Sequence, residues 1–300
     1  MPELPEVESV RSRLAPVIEG RRLDRVTIAD ERLTRPRDPA EVARELEGER
    51  VVAVLRRGKY LIVRFGSGRA LLIHLRMTGS LRHAPGGRLP DDAHRRAVVT
   101  LDDGSALAYR DVRRFGTWLL LEASELEPYL AERLGPEPLS PRFRSRDLAA
   151  RLAPRQAPLK AVLLDQRTVA GLGNIFVDEA LWQARLHPLR RAATVGPDEA
   201  LALHRAIRRT LVRAIARQGA TLRDYALPDG TAGTMQAEFN AYGRAGEPCP
   251  RCGTPIEKIR LAGRGTWYCP RCQPSPSSGT TYAASSSSRR PSRSSARSSA

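Results

Sequence analysis

The four cysteines of this chain constrain its fold more than any other feature. Cys249 and Cys252 form one C-x2-C pair, and Cys269 and Cys272 form a second pair after sixteen intervening residues. Two such pairs at this spacing are typical of a tetrahedral zinc site, whereas two disulfide bonds would require an oxidising compartment. Four thiolates leave no open coordination position. We therefore expect one structural Zn²⁺ held by these four cysteines.

The residues between the two cysteine pairs predict a short hairpin. Pro255–Arg260 and Gly265–Tyr268 have the composition of strands, and the segment between them is rich in glycine. A zinc-bound hairpin would present Arg264 rigidly near its tip, where a guanidinium group suits a phosphate. On its own, this zinc ribbon predicts only a generic nucleic-acid-binding module.

The charge of the chain points to a polyanionic partner. The formal net charge is +17, no apolar stretch has the length of a membrane span, and the N-terminus lacks a secretory pattern. We expect a non-membrane, cytoplasmic protein that binds nucleic acid. The alternative is a solvated, arginine-rich surface of the kind that a GC-rich genome produces.

The last segment, 274–300, is rich in serine and arginine and has no acidic residue. Such a composition buries too little apolar surface to fold, so we expect a disordered tail. Its arginines either add weak attraction to phosphates or belong to a dispensable extension.

The sequence pattern of the chain changes from short strands to helices near residue 124. Apolar residues recur with a helical period over residues 7–18, and Pro197–Gln218 shows the clearest later helix. Between them lie short apolar runs with turn residues in several of the gaps, which predict a β sandwich or barrel. The predicted strands are Leu23–Ile28, Val51–Leu55, Tyr60–Phe65, Ala70–Leu75, Ala97–Leu101, Leu107–Tyr109 and Thr117–Leu121.

The N-terminal residues carry a possible nucleophile. If Met1 is removed, Pro2 presents a free secondary amine, and an α-amino group titrates near pH ~8. Amines attack carbonyl-like carbons and form Schiff bases. Two carboxylates, Glu3 and Glu6, follow directly. The alternative is an ordinary helix start with Pro and Glu in its first turn.

Several motifs occur together in a fixed order. They are the Pro-Glu-Leu-Pro-Glu start at residues 2–6, Arg-Gly-Lys-Tyr at 57–60, His-Leu-Arg-Met-Thr-Gly at 74–79, Arg-Asp-Val-Arg-Arg-Phe-Gly at 110–116, Asp-Gln-Arg-Thr-Val-Ala-Gly-Leu-Gly-Asn-Ile at 165–175 and Gly-Arg-Gly-Thr-Trp-Tyr-Cys-Pro at 263–270. Together they resemble the formamidopyrimidine-DNA glycosylase family, bacterial base-excision enzymes that remove oxidised purines. The resemblance covers residues 2–273.

The resemblance implies an α+β architecture. It predicts an N-terminal helix with a β-sandwich domain at 1–134, a helix–two-turn–helix domain at 142–234 and a zinc ribbon at 240–273. The disordered tail at 274–300 lies outside the family pattern. Damaged double-stranded DNA would lie in the basic cleft between the two halves, and a monomer is expected.

The resemblance also implies a chemistry. Pro2 would attack C1′ of the damaged nucleotide while Glu3 transfers a proton to the sugar, and β,δ-elimination would follow. Lys59 and Arg264 are similar in position to the family's acids or phosphate stabilisers for strand cleavage. Glu6 would support the site structurally, and zinc would take no part.

Extrusion of a stacked base leaves a gap that apolar wedges can fill. By resemblance, Met77 and Phe115 fill it and Arg113 contacts the orphaned base. The alternative roles are a core Met, a core Phe and a solvated Arg. Four further residues resemble the family's phosphate contacts: Arg155, Lys160, Asn174 and His94. The alternative for Asn174 is a plain helix N-cap, and the alternative for His94 is an exposed histidine without a function. The exposed N–H groups at the predicted helix start near Gly173 would also attract phosphate.

Two departures from the family pattern affect the expected substrate. Met235 stands where an aromatic residue is common, near the loop over the flipped base, and Ala241 stands where Val is usual. Leu4 matches the purine-directed branch. The rival functions are an endonuclease VIII-like glycosylase for oxidised pyrimidines and a non-catalytic DNA-binding zinc protein.

Overall fold

The structure is a computed structural model that describes residues 1–275, so the predicted tail beyond residue 275 lies outside the described residues. The helices of this part are α1 (Leu4–Ile18), α2 (Pro39–Leu46), α3 (Ala123–Arg133), α4 (Ser145–Leu152), α5 (Leu159–Leu164), α6 (Asn174–Ala184) and α7 (Pro197–Ala216). The strands are β1 (Leu23–Ile28), β2 (Val51–Arg57), β3 (Tyr60–Phe65), β4 (Ala70–His74), β5 (Gly79–Ala84), β6 (Arg95–Leu101), β7 (Ala106–Asp111), β8 (Thr117–Leu121), β9 (Glu257–Leu261) and β10 (Arg264–Tyr268). Short 3₁₀ turns occur at Ala192–Thr194 and Met235–Glu238.

The N-terminal half is a β sandwich. Two four-stranded antiparallel sheets, ordered β1-β6-β7-β5 and β2-β3-β4-β8, face each other across one apolar core. Val99 from the first sheet, Val54 from the second and Val10 from α1 all lie in that core. The predicted sandwich with a leading helix is therefore confirmed.

The seven predicted strands are present, but β5 and α2 were missed. In β5, Leu81 is buried and pairs with Tyr109, whereas Arg82 and His83 are more exposed. A strand at the edge of its sheet with so few apolar residues gives little periodic signal. Helix α2 is short, and Asp38 caps it by accepting hydrogen bonds from the first turn.

The helical domain encloses a second core, and α1 reaches into it. Leu148, Phe176 and Leu203 lie in this core together with Leu4, the first residue of α1. The Leu4 N–H donates to Gly171 O at 3.0 Å. At Gly171 the φ angle is +87°, and an added Cβ would lie 2.7 Å from Leu4 Cβ. The N-terminal residues are thus fixed against the helical domain, while the remainder of α1 packs in the sandwich.

The zinc ribbon contains the predicted hairpin. Strands β9 and β10 pair antiparallel, and Ala262 and Gly263 form the turn with φ angles of 49° and 74°. Positive φ at both residues is what a tight two-residue hairpin turn requires. Arg264 is consequently the first residue of β10, paired with Leu261. Within residues 1–275 we find no helix long and apolar enough to cross a membrane.

Candidate active site and zinc centre

The Glu3 carboxylate accepts hydrogen bonds from the first turn of helix α6. Glu3 Oε1 accepts the Ile175 N–H at 2.9 Å, and Oε2 accepts the Phe176 N–H at 3.3 Å. An added Cβ at Gly173 would lie 2.5 Å from Glu3 Oε1, so this glycine leaves the space that the carboxylate fills. Glu3 therefore occupies the N–H groups of Ile175 and Phe176, and the expected phosphate contact at Gly173 and Asn174 stays a prediction.

Glu6 connects the N-terminus to the segment 217–235. Its Oε2 accepts the Glu3 N–H at 2.8 Å, and its Oε1 accepts the Ala220 N–H at 2.7 Å. The Tyr225 hydroxyl donates to Glu6 O at 3.2 Å. Burial, reinforced by the neighbouring Glu3 charge, raises the pKa of Glu6 to about 7. Glu6 therefore supports the site structurally, as expected.

Lys59 occupies the tight turn between β2 and β3. Gly58 has φ +57°, and the Lys59 side chain is only 5% exposed. Burial lowers the pKa of Lys59, the Glu3 carboxylate opposes this shift, and the Arg264 guanidinium adds to it. Lys59 is thus close enough to interact electrostatically with both Glu3 and Arg264, the other strand-cleavage candidate.

A cavity of about 380 Å³ opens beside these groups. It brings together three predicted residues, Pro2, Met77 and Arg113, with the segment 220–225. The full lining is Met1, Pro2, Glu6, Met77, Thr78, Arg113, Ile175, Ala220, Leu222, Arg223, Asp224, Tyr225 and Tyr242. A buried Pro2 that faces a cavity lined by both domains has the form of an active site.

The two wedge candidates are exposed. Met77 is 37% exposed and Phe115 is 51% exposed, and the Arg113 guanidinium lies 4.7 Å from the Phe115 ring centroid. The alternative roles of Met77 and Phe115 as core residues are therefore excluded. Exposed apolar groups beside an arginine can enter a base stack.

Asp111 ties the loops of Met77 and Phe115 together, and sequence reasoning missed it. Its Oδ1 accepts the Arg113 N–H at 3.2 Å and the Thr78 hydroxyl, and its Oδ2 accepts the Gly116 N–H at 2.7 Å. The Asp111 N–H donates to His94 O at 3.0 Å, which places half-buried His94 beside these loops.

Lys160 does not lie on the surface, where the expected phosphate contact would require it. Its side chain is fully buried, and Nζ lies 2.7 Å from Asp178 Oδ1 and donates to Gly265 O at 3.0 Å. Burial lowers the pKa of Lys160 and raises that of Asp178. Asp178 Oδ2 also accepts the Trp267 N–H at 3.1 Å. The ion pair thus holds β10 beside Arg264 and is buried in the described part of the chain.

The other two phosphate candidates differ from each other. Arg155 is exposed, and we find no hydrogen bond or ion pair of its guanidinium group within residues 1–275. Asn174 is half-buried, and its amide donates to Gly265 O at 3.1 Å. Arg155 is therefore available to an anion, whereas one Asn174 donor already contacts the hairpin.

Glu179 positions the residues that lead into the ribbon, and it was also missed. Its carboxylate accepts the N–H groups of Asn240, Ala241 and Tyr242 at 2.8 to 3.1 Å. Tyr242 lines the cavity. Met235, in contrast, is 4% exposed and packs in the helical core, below the segment that lines the cavity.

The four cysteines converge on one point. Their Sγ atoms all lie within 4.8 Å of one another, with Cys252 and Cys269 3.5 Å apart and Cys249 and Cys272 4.0 Å apart. Zn–S bonds of about 2.3 Å in a tetrahedron place sulfurs about 3.8 Å apart, so the cluster fits zinc. Four thiolates close the coordination sphere, and the metal is structural.

Three family models match the chain in sequence. Residues 1–118 match the formamidopyrimidine-DNA glycosylase N-terminal domain, and residues 134–226 match the H2TH domain of the same enzymes. Residues 246–274 match the zinc finger found in FPG and IleRS.

Whole-chain comparisons agree with these matches. A formamidopyrimidine-DNA glycosylase of Symbiobacterium thermophilum is 50% identical over 278 residues, which is 92% of this chain and 90% of that protein. One from Geobacillus kaustophilus is 48% identical over 91% of this chain and its own full length.

Among solved structures, a point mutant of the Lactococcus lactis FPG in complex with Fapy-dG-containing DNA has a TM-score of 0.86. It is 39% identical over 91% of this chain and all of that chain. The chain therefore belongs to the formamidopyrimidine-DNA glycosylase family, whose members are DNA glycosylases with AP lyase activity.

Proposed function

We propose that this chain excises oxidised purines, 8-oxoguanine and formamidopyrimidines, from duplex DNA and then cleaves the strand at the resulting site. It does so as a monomer on the DNA of the bacterial cytoplasm. The Lactococcus lactis relative bound to Fapy-dG-containing DNA supports this choice of substrate. The +17 net charge supports DNA as the partner.

Base release begins at Pro2. Its nitrogen, free once Met1 is removed, attacks C1′, and the bond between C1′ and the base breaks with its electron pair going to the base. The attacking Pro2 nitrogen passes its proton to Glu3, and Glu3 gives a proton to the sugar ring oxygen. The bond between C1′ and that oxygen then breaks, and an iminium joins Pro2 to C1′.

Strand cleavage follows from that iminium. It withdraws electrons from C2′, so a 2′ proton is lost and the 3′ phosphate leaves. A second elimination then releases the 5′ phosphate. Lys59 and Arg264 act on the leaving phosphates as acids or as stabilising charges. The zinc ion supplies no step and keeps the hairpin of Arg264 folded.

One observation carries this mechanism: Pro2 is buried against a cavity of about 380 Å³ beside Glu3, whose carboxylate accepts hydrogen bonds from the start of α6. A nucleophile candidate, an adjacent acid and room for an extruded base therefore meet at one place.

Borohydride trapping tests the proposal. Borohydride added during reaction with 8-oxoguanine duplex should reduce the iminium and leave protein covalently bound to DNA at residue 2. A form that retains an uncleaved N-terminal tag has an amide at Pro2 and should bind DNA without being trapped. Normal trapping of the tagged form would assign the attack to another amine, and Lys59 would be the first candidate.

The same assay on different lesions tests the substrate. Excision of 8-oxoguanine should exceed excision of thymine glycol. The reverse order would favour the endonuclease VIII-like alternative, and no excision of either base would favour a non-catalytic protein.

A further inference from the structure

The carboxyl end of α6 contacts the metal centre through one side chain. Trp182 lies in the last turn of α6, and its indole Nε1–H donates to Cys249 Sγ at 3.3 Å. Trp182 is 8% exposed and Cys249 is 2% exposed, so water does not compete for this hydrogen bond. Within residues 1–275, this is the one side-chain N–H or O–H group that we find donating to Cys249, whereas the Thr254 hydroxyl donates to Cys252.

The charge of the metal cluster explains why a hydrogen-bond donor at Cys249 is favourable. Zinc with four thiolates carries a formal charge of −2, and a partly buried negative charge needs donors or cations around it. Arg251, between the first two cysteines, supplies a cation. Its guanidinium lies 4.0 Å from the Trp182 ring centroid, and it donates to Trp182 O at 3.1 Å. The indole is thereby held in place from the ribbon side.

We propose that Trp182 is a positioning residue of the zinc centre, whose N–H···S hydrogen bond stabilises the Cys249 thiolate on the metal and attaches the ribbon to α6. Helix α6 then connects the two sites: Glu3 sits at its amino end and the zinc thiolate at its carboxyl end. Groups that hydrogen-bond to metal ligands commonly change metal affinity by about 10- to 100-fold. The assignment concerns metal retention and does not depend on the proposed reaction.

The first experiment is Trp182→Phe, which keeps an aromatic ring beneath Arg251 and removes the N–H donor together with the five-membered ring of the indole. We expect zinc to transfer to a competing chelator faster and the apparent zinc affinity to fall about tenfold. If the variant is purified without zinc, titration of zinc into the metal-free protein gives the same affinity.

The chain offers a matched control. Trp118 is 3% exposed, packs edge-on against Tyr109, and its indole N–H has no partner in the described part of the chain. Trp118→Phe should leave zinc release unchanged. Equal release rates for W182F, W118F and wild type would overturn the proposal.

Cobalt substitution separates the hydrogen bond from general loosening of the ribbon. A thiolate without its N–H donor is a stronger electron donor, so the thiolate-to-Co²⁺ charge-transfer band of W182F should move to lower energy. W118F should keep the wild-type band. An unshifted band in W182F would show that the indole acts only through packing.

Discussion

The residues proposed to act on DNA and those that support them fall into a buried side and an exposed side, which are built in opposite ways. On one side, Glu3, Lys59 and the Lys160–Asp178 pair are buried, and Glu3 and the ion pair are held by short hydrogen bonds. On the other side, Met77 and Phe115 project from their loops and are exposed. The loops themselves are fixed by Asp111, so it is only the ends of these side chains that are exposed.

This difference separates what the protein supplies from what the substrate supplies. Groups that act on bonds are held in place before DNA arrives, which avoids reorganisation during reaction. Groups that replace an extruded base cannot be satisfied until the base has left. Substitutions on the buried side should therefore alter folding or chemistry, and substitutions on the exposed side should alter DNA handling alone.

The largest effect is expected at the buried ion pair. Lys160→Met leaves the Asp178 carboxylate buried without its cation, and breaking a buried pair in this way costs about 3 to 5 kcal/mol. The free energy of unfolding in urea should fall by that amount. The double variant K160M/D178N, which removes both charges and keeps an acceptor for the Trp267 N–H, should recover part of the loss.

Arg155→Ala is the exposed counterpart. It should leave the unfolding free energy within about 0.5 kcal/mol of wild type. The slope of log affinity against log salt should become shallower by about 0.9, because one phosphate contact is lost. If K160M, rather than R155A, changes the salt slope at unaltered stability, the assignment of the two residues is reversed.

The second effect is the pH dependence of stability that comes from Glu6. Its pKa is about 7 in the folded protein, against 4.5 for an exposed Glu. Between these values the folded state holds a proton that the unfolded state has released, so stability falls as pH rises from 4.5 to 7 and is constant above. The decrease is about 3 kcal/mol.

Urea unfolding of wild type and Glu6→Gln across pH 5 to 8 measures this contribution. Asp178 changes stability in the same direction, because burial also raises its pKa, and the difference between the two proteins removes it. Parallel curves for wild type and E6Q would mean that Glu6 does not titrate in this range.

The sequence predicted most of the regular elements and the cysteine cluster, and it could not predict contacts that depend on distant neighbours. Long alternating strands and the cysteine spacing are local patterns. Lys160, however, is partnered by Asp178 and by Gly265, which is 105 positions away. A lysine near a phosphate-binding motif looks the same in sequence whether it faces DNA or a buried carboxylate.

The same reason explains Asp111 and Glu179. Each accepts several backbone N–H groups from loops whose paths the sequence does not specify, and neither lies in a pattern that predicts this. Periodicity reports which face of an element is buried, but it carries no information about which backbone N–H groups of a folded loop need an acceptor.

The third prediction tests how closely Glu3 must be placed. Gly173 has an ordinary backbone conformation, so Gly173→Ala should act only through the new Cβ, which would lie 2.3 Å from Glu3 Cδ. A displacement of about 1 Å at a reacting group can reduce the rate about a hundredfold. Single-turnover excision should fall by that factor with DNA affinity retained. Gly66→Ala, where the nearest atoms are 3.9 Å from the added Cβ, is the control and should match wild type.

The smallest effect is expected on the exposed side. Phe115→Ala removes a ring that is half exposed in the free protein, so folding should be unaffected, and the loss should appear only when a base is extruded. Stacking of an aromatic ring on a base is worth about 1 kcal/mol at the lower end of its range, which corresponds to roughly a fivefold fall in kcat/KM for base excision. Phe115→Trp should restore the activity, because it keeps a planar ring beneath Arg113.

Val212→Ala, at an apolar residue of α7 that is 57% exposed, should change neither stability nor excision. A fall in the melting temperature of F115A would place Phe115 with the buried side after all, and the division between prebuilt chemistry and substrate-completed contacts would no longer hold at this loop.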